Sequence, residues 1–448
     1  MSQNRDWRSE YRNRLRSADD VVSHLESGQR LVLPTLAGQP PALLAAMGRA
    51  IRNSSLPNVR AGTILPGPSL AKALLQPEHA HMIYWDSLFC GASDRPGVFE
   101  GRYDMTPMHF GQMPKIMRDD MNVDAVMTLA SPPDDQGFMS IGISIDYTKR
   151  LIGTSCFSAV EVNSNVPRVG GDALIHVSEV DAIVEHESDL FELPNPTATP
   201  EDEKIGALIA ERIPDGTTIQ LGYGAAPSAV GLCLRGHKNL GIHTEMFVDA
   251  MRVLMAEGVV DNSRKTINPG KTLYTFTTGT RETYEFLHEN PAIEGHPVDL
   301  TNDTAYIAQH KGIVVINATI VVDLTGQACS ESIGGMQYSG TGGQADFIRG
   351  AMMAEGGRSF VVTHSTARNG ELSCIVSGLE PGSVVTTART DMDMLVTEYG
   401  VAELRGKSLS ERAQALIGIA HPKFRDDLQK EARKRGLGAR RIWPSAVV

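Results

Sequence analysis

Short runs rich in β-branched and apolar residues alternate along this chain with longer stretches whose apolar positions recur every three to four residues. RLVLP precedes PPALLAAMGRAIRN, VDAVMTLA and ALIHVSEV follow, and EKIGALIAERI leads into TTIQLG and PSAVGLCL. Such alternation predicts strands and helices in α/β layers. Near the start, Trp7, Tyr11 and Leu15, then Val21, Val22 and Leu25, mark charged segments as helices packing on the body. At the other end, KFRDDLQKEARKRGLG predicts a charged helix with a solvated face. The segment FELPNPTATPEDEKIG, residues 191–206, breaks the pattern with three prolines and four acidic residues. A polar, proline-rich stretch of this kind marks a linker, which divides the chain into domains at 1–192 and 205–448. No tandem repeat of solenoid or propeller length interrupts this reading.

Composition narrows the picture. A chain of 448 residues with 41% hydrophobic content has room for two domains, each with its own core. The net charge of −11, with basic residues dispersed, argues against a nucleic-acid surface but leaves space for one local basic pocket. Cys90, Cys156, Cys233, Cys329 and Cys374 form no CxxC pair, so buried thiols in a reducing compartment are expected rather than disulfides or a cysteine zinc site. The charged N-terminus carries no signal-peptide core and no run of eighteen apolar residues occurs, which predicts a cytoplasmic protein without a membrane partner.

Four segments have the residue types that chemistry requires. In TTIQLGYGAAPSAVGLCL a strand-like run enters Gly222-Tyr223-Gly224-Ala225-Ala226 and a helix-like run leaves it. Glycines admit a ligand close to the backbone and a helix N-terminus offers free N–H groups to an anion, so this is either a phosphate or pantetheine cradle or a plain turn. It lacks the GxGxxG pattern and the Walker GxxxxGK[ST] pattern. In GIHTEMFVDAMRVLMAEGVV, Glu245 is expected in the first turn of an amphipathic helix whose apolar face holds Phe247, Met251 and Leu254. There the helix dipole would keep the carboxylate ionised, as a nucleophile or simply as a capping acid; His243 and Asp249 stand nearby. In ESIGGMQYSGTGGQADFIRGA, Gly334, Gly335, Gly340, Gly342 and Gly343 fall within ten residues. Backbone N–H groups in such a loop suit an oxyanion, while the alternative is a surface loop; the flanking Ile333, Met336, Phe347 and Ile348 speak against disorder. In GIVVINATIVVDLTGQ, Asn317 interrupts a β-branched strand and needs a hydrogen-bond partner, in the backbone or in a ligand amide. Ile320, read on the same strand, lines a ligand arm or belongs to the core.

SPPDDQGFMSIGISIDYT from Ser131, EVNSNVPR from Glu161, GYGAAPSAV from Gly222, GIHTEMF from Gly241, the block from Asn317 through SGTGGQADF, and TEYGVAELRGKSLSERAQALIGIAHPKFR from Thr397 occur in order. Together they resemble the acetyl-CoA hydrolase/transferase family, in its branch of 4-hydroxybutyrate and butyryl-CoA:acetate CoA-transferases. The resemblance implies two open α/β domains of the CoA-transferase (NagB/RpiA-like) type with the active site in the cleft between them. The N-terminal half, with SPPDDQG, would face the acyl group and the C-terminal half would hold CoA. It makes Glu245 the covalent carrier, passing CoA from acetyl-CoA or succinyl-CoA to a carboxylate through a glutamyl-CoA thioester. Gly222, Tyr223, Gly224, Ala225, Ala226 and Asn317 would contact CoA, and Gly342 and Gly343 would supply backbone donors. CoA and acyl-CoA are then substrates, with no permanently bound cofactor and no metal; a homodimer or higher homo-oligomer is expected. The acceptor is open between a monocarboxylate such as acetate, butyrate or 4-hydroxybutyrate and a dicarboxylate such as succinate or itaconate. The latter needs a cation, for which Arg102, Lys115, Arg118 and Arg168 are the candidates. A hydrolase, a CoA-binding protein without catalysis and a dinucleotide-dependent dehydrogenase are the competing readings, the second opposed by the intact surroundings of Glu245.

Overall fold

Two largely parallel sheets, one in each half of the chain, account for the alternating pattern. The computed structural model describes residues 6–56, 58–154, 157–194 and 196–438. The chain begins with helices α1 (Trp7–Arg14) and α2 (Ala18–Ser23), capped by the side chains of Asp6 and Ser17. Val21, Val22 and Leu25 are buried, and Trp7, Tyr11 and Leu15 pack partly buried on the core. The first sheet contains β1 (Arg30–Val32), β2 (Val59–Ile64), β3 (Ile83–Phe89), β4 (Asp104–Met105), β5 (Ala125–Ala130), β6 (Phe157–Val162) and β7 (Ala182–Glu185). Their order is β7-β6-β5-β1-β2-β3-β4 and every pairing is parallel. Helix α3 (Pro41–Arg52) follows β1, with Pro41 at its start where a missing N–H costs nothing, and buries Leu43, Leu44, Met47 and Ile51.

The second half opens with α4 (Pro200–Ala210), which starts in a Thr199–Asp202 capping box. Its sheet is built from β8 (Thr218–Leu221), β9 (Gly241–Ile242), β10 (Val314–Ala318), β11 (Arg358–Val362), β12 (Met394–Thr397) and β13 (Gly400–Glu403), in the order β9-β8-β10-β11-β12-β13. Only β12–β13 is antiparallel. Helix α5 (Ala225–Cys233) follows β8, α6 (Asp249–Ala256) follows β9, α7 (Gln344–Met353) precedes β11, and α8 (Pro422–Lys434) closes the described chain with Leu428 and Ala432 buried and its charged residues outward. From β8 the chain adds β9 on one side and later returns to add β10 on the other, so the strand order reverses between β8 and β10 and their carboxyl ends lie at a switch point. In open α/β sheets that is where ligands bind.

Each half has an apolar cluster of its own, and a further cluster crosses between them, from Val32 and Ile64 through Tyr274 and Phe276 to Phe360 and Val396. The segment ALIHVSEV forms a strand only over Leu174–His176; the next three residues make a 3-10 turn because Glu179 and His176 cap one another's backbone. Cys90, Cys233, Cys329 and Cys374 are free thiols, the first and the last two buried, while Cys156 lies outside the described residues. Among the described residues no helix is long and apolar enough to cross a membrane.

Candidate active site

Glu245 does not lie in a helix. The chain leaves β9 through His243 and Thr244, passes Glu245, and forms a two-residue strand, Met246–Phe247, paired in parallel with Phe276–Thr277; α6 begins only at Asp249. This long-range pairing overrides the helical period read from the sequence. The Glu245 carbonyl accepts N–H bonds from Thr275 (2.9 Å) and Phe276 (3.2 Å), which fixes the backbone beneath the side chain. With the helix start four residues on, the helix dipole does not hold the carboxylate ionised as expected. Burial instead pushes its pKa up to about 7, opposed by a hydrogen bond from Asn302 and reinforced by the charge of Asp346. The residue as a whole nevertheless keeps part of its surface exposed.

The surroundings of Glu245 come from three distant segments. Asn302 Nδ2 donates to Glu245 Oε2 at 2.7 Å. Gly343, at the N-terminus of α7, leaves the space the carboxylate uses: a Cβ there would overlap both Glu245 Oε2 and Asn302 Nδ2. Gly342 adopts φ +56° and its carbonyl accepts the Phe110 N–H at 3.1 Å, so the glycine-rich loop is seated on the N-terminal half. Phe89 completes that seat, since a Cβ at Gly340 would meet its Cα and ring at 2.8 Å. The Phe110 ring stands edge-on to Phe276, 6.0 Å between centroids, next to the backbone that fixes Glu245. The loop is thus ordered rather than free, although Ile333 and Met336, on a small hairpin ahead of it, are each 45% exposed; Phe347 and Ile348 are buried.

The residues near Glu245 in sequence have other roles. His243 is fully buried and held neutral by its burial. Its Nε2 lies 2.8 Å from the Thr301 carbonyl and therefore carries the proton, and its ring packs against His310, Tyr306 and Phe347. Asp249 is not simply solvated: Oδ1 accepts from the Thr280 N–H at 3.1 Å and from the hydroxyls of Thr280 and Thr283.

A second cluster forms at the carboxyl ends of β8 and β10. Gly222 N–H donates to the Ile316 carbonyl at 2.8 Å, and a Cβ on Gly222 would lie 3.0 Å from Asn317 Oδ1. Gly224, at φ +135°, turns the chain into α5, whose first residues Ala225 and Ala226 are partly exposed; Tyr223 beside them is 47% exposed. The first N–H groups of a helix have no partner within it, so this turn offers donors to an incoming anion. Asn317, 7% exposed, exchanges a pair of amide hydrogen bonds with Gln220 (3.1 and 3.2 Å), which satisfies it inside the strand. Ile320 is not on the strand of Asn317: β10 ends at Ala318, the next strand starts at Val321, and Ile320 N–H bonds the Cys329 carbonyl in the connection. Helices α5 and α6, which follow the two clusters in the chain, pack closely because Gly231 admits Ala250 with no side chain between them.

Comparison with known proteins decides what this geometry belongs to. Residues 1–192 match the acetyl-CoA hydrolase/transferase N-terminal domain and residues 279–432 the acetyl-CoA hydrolase/transferase C-terminal domain. Across 430 residues the chain is 42% identical to the succinyl-CoA:cyclohexane-1-carboxylate CoA transferase of Geobacter metallireducens, covering 96% of this chain and 97% of that one. The chain belongs to the acetyl-CoA hydrolase/transferase family. It is also 41% identical over 431 residues to the 4-hydroxybutyrate coenzyme A transferase of Clostridium kluyveri, covering 96% of this chain and all of that one. The crystal structure of RipA from Yersinia pestis superposes with a TM-score of 0.92 at 39% identity, over 96% of this chain and 100% of that one. The activity that follows is transfer of CoA between an acyl-CoA and a carboxylate.

Within this family member, sequence reasoning missed Asn302 and Asp346. Asn302 sits in HPVDLTNDTAYI, where nothing in the local pattern distinguishes it from a loop residue. Asp346 looks like an ordinary first-turn helix acid, and its one signal is position: it lies between Ala345 and Phe347 on a buried face. The cations proposed for a distal carboxylate are mostly engaged elsewhere. Arg102 pairs with Glu100, Arg118 with Asp119, and Arg168 with Asp134 and the Phe138 carbonyl; Lys115 is exposed. Asp134 belongs to SPPDDQG, so this segment of the N-terminal half is tied to Arg168 and, through the Asp135 carbonyl, to Trp7.

Proposed function

We propose that the CoA group is carried by Glu245. The supporting observation is a glutamate that keeps part of its surface exposed, with no Cβ opposite its Oε2 at Gly343 and a side-chain donor, Asn302, on that same oxygen. In this reading Glu245 Oε attacks the thioester carbonyl of the acyl-CoA, the C–S bond breaks, and a CoA thiolate leaves behind an acyl-glutamyl anhydride. The thiolate attacks the glutamyl carbonyl, the anhydride C–O bond breaks, and the donor acid departs as its carboxylate, leaving the glutamyl-CoA thioester. A second carboxylate reverses both steps. No proton changes hands, so the need is for stabilisation of two oxyanions and exclusion of water rather than for a general base. Asn302 Nδ2 and the backbone N–H groups of the Gly342–Gly343 turn are suitable donors, and the Gly222–Ala226 turn with Asn317 is the CoA cradle.

The N-terminal half, residues 1–192, supplies the acyl side through Phe89 and Phe110, and residues 205–448 supply CoA binding and the carrier. Short monocarboxylates such as butyrate or 4-hydroxybutyrate are the preferred acceptors, because the groups gathered around Glu245 are, His109 apart, aromatic, amide or acidic, and three of the four candidate cations have partners elsewhere. Free thiols at Cys90, Cys233, Cys329 and Cys374 suit a reducing cytoplasm, and a homo-oligomer is the expected assembly.

Two-substrate kinetics test the carrier. A ping-pong pattern, with parallel double-reciprocal lines for acyl-CoA and butyrate, is expected. Intersecting lines would mean that both substrates must be bound together, and an undiminished rate without any carboxylate would mean hydrolysis.

A further inference from the structure

One buried acid beside Glu245 has no part in the reaction as written. Asp346 is 7% exposed in the first turn of α7. Its Oδ2 accepts the Gly111 N–H of the N-terminal half at 3.0 Å and lies 3.4 Å from Asn302 Nδ2, the same nitrogen that donates to Glu245 at 2.7 Å. A single NH2 group is therefore shared by two carboxylates. The charged or titratable groups facing Asp346 are Glu245, His109, whose Nδ1 is 3.9 Å from Oδ1, and Arg349, one turn along α7 and itself paired with Asp391.

A side-chain amide presents either a donor or an acceptor to its surroundings, and the neighbours choose. While Glu245 is an anion, it and Asp346 both attract the NH2 end of Asn302. Once Glu245 is an anhydride or a thioester its charge is gone, and at that stage a donor is needed at the glutamyl carbonyl as an oxyanion develops there. Asp346 is not consumed by the reaction and stays in place.

We propose that Asp346 is a positioning residue that keeps the amide nitrogen of Asn302 turned toward residue 245 while the glutamate is acylated. This rests on the reading of Glu245 as the carrier. The bond from Gly111 makes the arrangement depend on the N-terminal half being seated against α7, so the donor is aimed only when the cleft is assembled. The burial that raises the Asp346 carboxyl, and the contribution of its charge to the raised Glu245, agree with two acids sharing one donor.

The test uses the full chain with Asp346→Asn, which preserves size and an acceptor for Gly111 N–H but removes the charge. Single-turnover formation and discharge of the glutamyl-CoA adduct should both slow by about 10²-fold, the cost of a misaimed catalytic group, with the KM for acyl-CoA little changed. The acid limb of kcat/KM should move to lower pH, since a negative neighbour of Glu245 is gone. In a double-mutant cycle, Asn302→Ala with Asp346→Asn should be no slower than Asn302→Ala alone. Wild-type turnover with an unmoved acid limb, or losses that simply add, would overturn the proposal. If the Asn variant is poorly folded, Asp346→Ser, whose hydroxyl can still accept from Gly111, is held to the same criteria. An adduct on the wild type together with wild-type behaviour of these variants would defeat this inference alone; no glutamyl adduct on the wild type would defeat the carrier reading beneath it.

Discussion

Glu161 and Glu245 are both glutamates whose pKa burial pushes up to about 7, yet their settings differ in every respect that matters for reactivity. Glu161, next to the end of β6, has no exposed surface; its Oε2 accepts the backbone N–H groups of Ala42 (2.9 Å) and Leu43 (3.0 Å) in the first turn of α3. Those donors are part of a helix and cannot move to another oxygen. Glu245 keeps part of its surface in solvent, faces the empty Cβ position of Gly343, and is held by a side-chain amide that can serve a new oxyanion as readily as the old carboxylate. A raised pKa is therefore no mark of a nucleophile by itself. Access and a transferable donor separate the proposed carrier from the structural acid.

The sharpest way to break this comparison is to make the same substitution at both sites. Glu245→Gln should lower CoA transfer on the order of 10⁴-fold or more, as expected for loss of a covalent nucleophile. Glu161→Gln can still offer a carbonyl oxygen to Ala42 and Leu43, so turnover should stay within about twofold, in the range of changes that leave the chemical step intact. Steady-state assays with acetyl-CoA and butyrate read both; equal losses would erase the distinction.

Next in size is Gly343→Ala. The added methyl would displace Glu245 and Asn302 together, and kcat should fall about 10²-fold to 10³-fold with a smaller change in the KM for acyl-CoA. Full activity would mean that the carboxylate reacts from another position.

The pH profile sharpens the comparison further. Protonated Glu245 cannot attack, so kcat/KM should fall as pH drops through about 7, where an unperturbed carboxyl would hold the rate down to near its ordinary value of 4.5. An acid limb at ordinary carboxylate pH would show that Glu245 is less buried in solution than its surroundings indicate.

The smallest effect is on stability. A folded-state pKa above the unfolded one means that the folded chain holds more protons between the two values, so stability is full below about 4.5 and is lost as pH rises to about 7. The loss is at most about 1.4 kcal/mol per pH unit at each site. Both Gln variants should gain thermal stability relative to the wild type on going from about pH 5 to about pH 8. A melting-temperature difference independent of pH at either site would contradict the raised value there.

Much of the layering was legible because it is local. The runs VDAVMTLA and TTIQLG become β5 and β8, PPALLAAMGRAIRN becomes α3, and GYGAAPSAV places its glycines at the turn into α5. Glu245 was singled out, as the expected carrier, by the order of the motifs around it. Its local structure was not, because Met246–Phe247 pairs with residues thirty positions away and delays the helix to Asp249. The same limit hid Asn302 and Asp346, which become neighbours of Glu245 only when separate segments converge. Ile320 was misplaced for a smaller reason: the apolar run through Val314 and Val322 hides a break at Thr319 and Ile320, where the chain changes sheets.

The most direct test of the central claim is the intact-protein mass of the wild type and of Glu245→Ala after mixing with acetyl-CoA or succinyl-CoA, followed by peptide mapping. A CoA-sized adduct on the wild type alone, mapped to the peptide containing Glu245 and discharged by added butyrate, is the predicted result. An adduct on the Ala variant, or transfer at full rate with no adduct on the wild type, would contradict it.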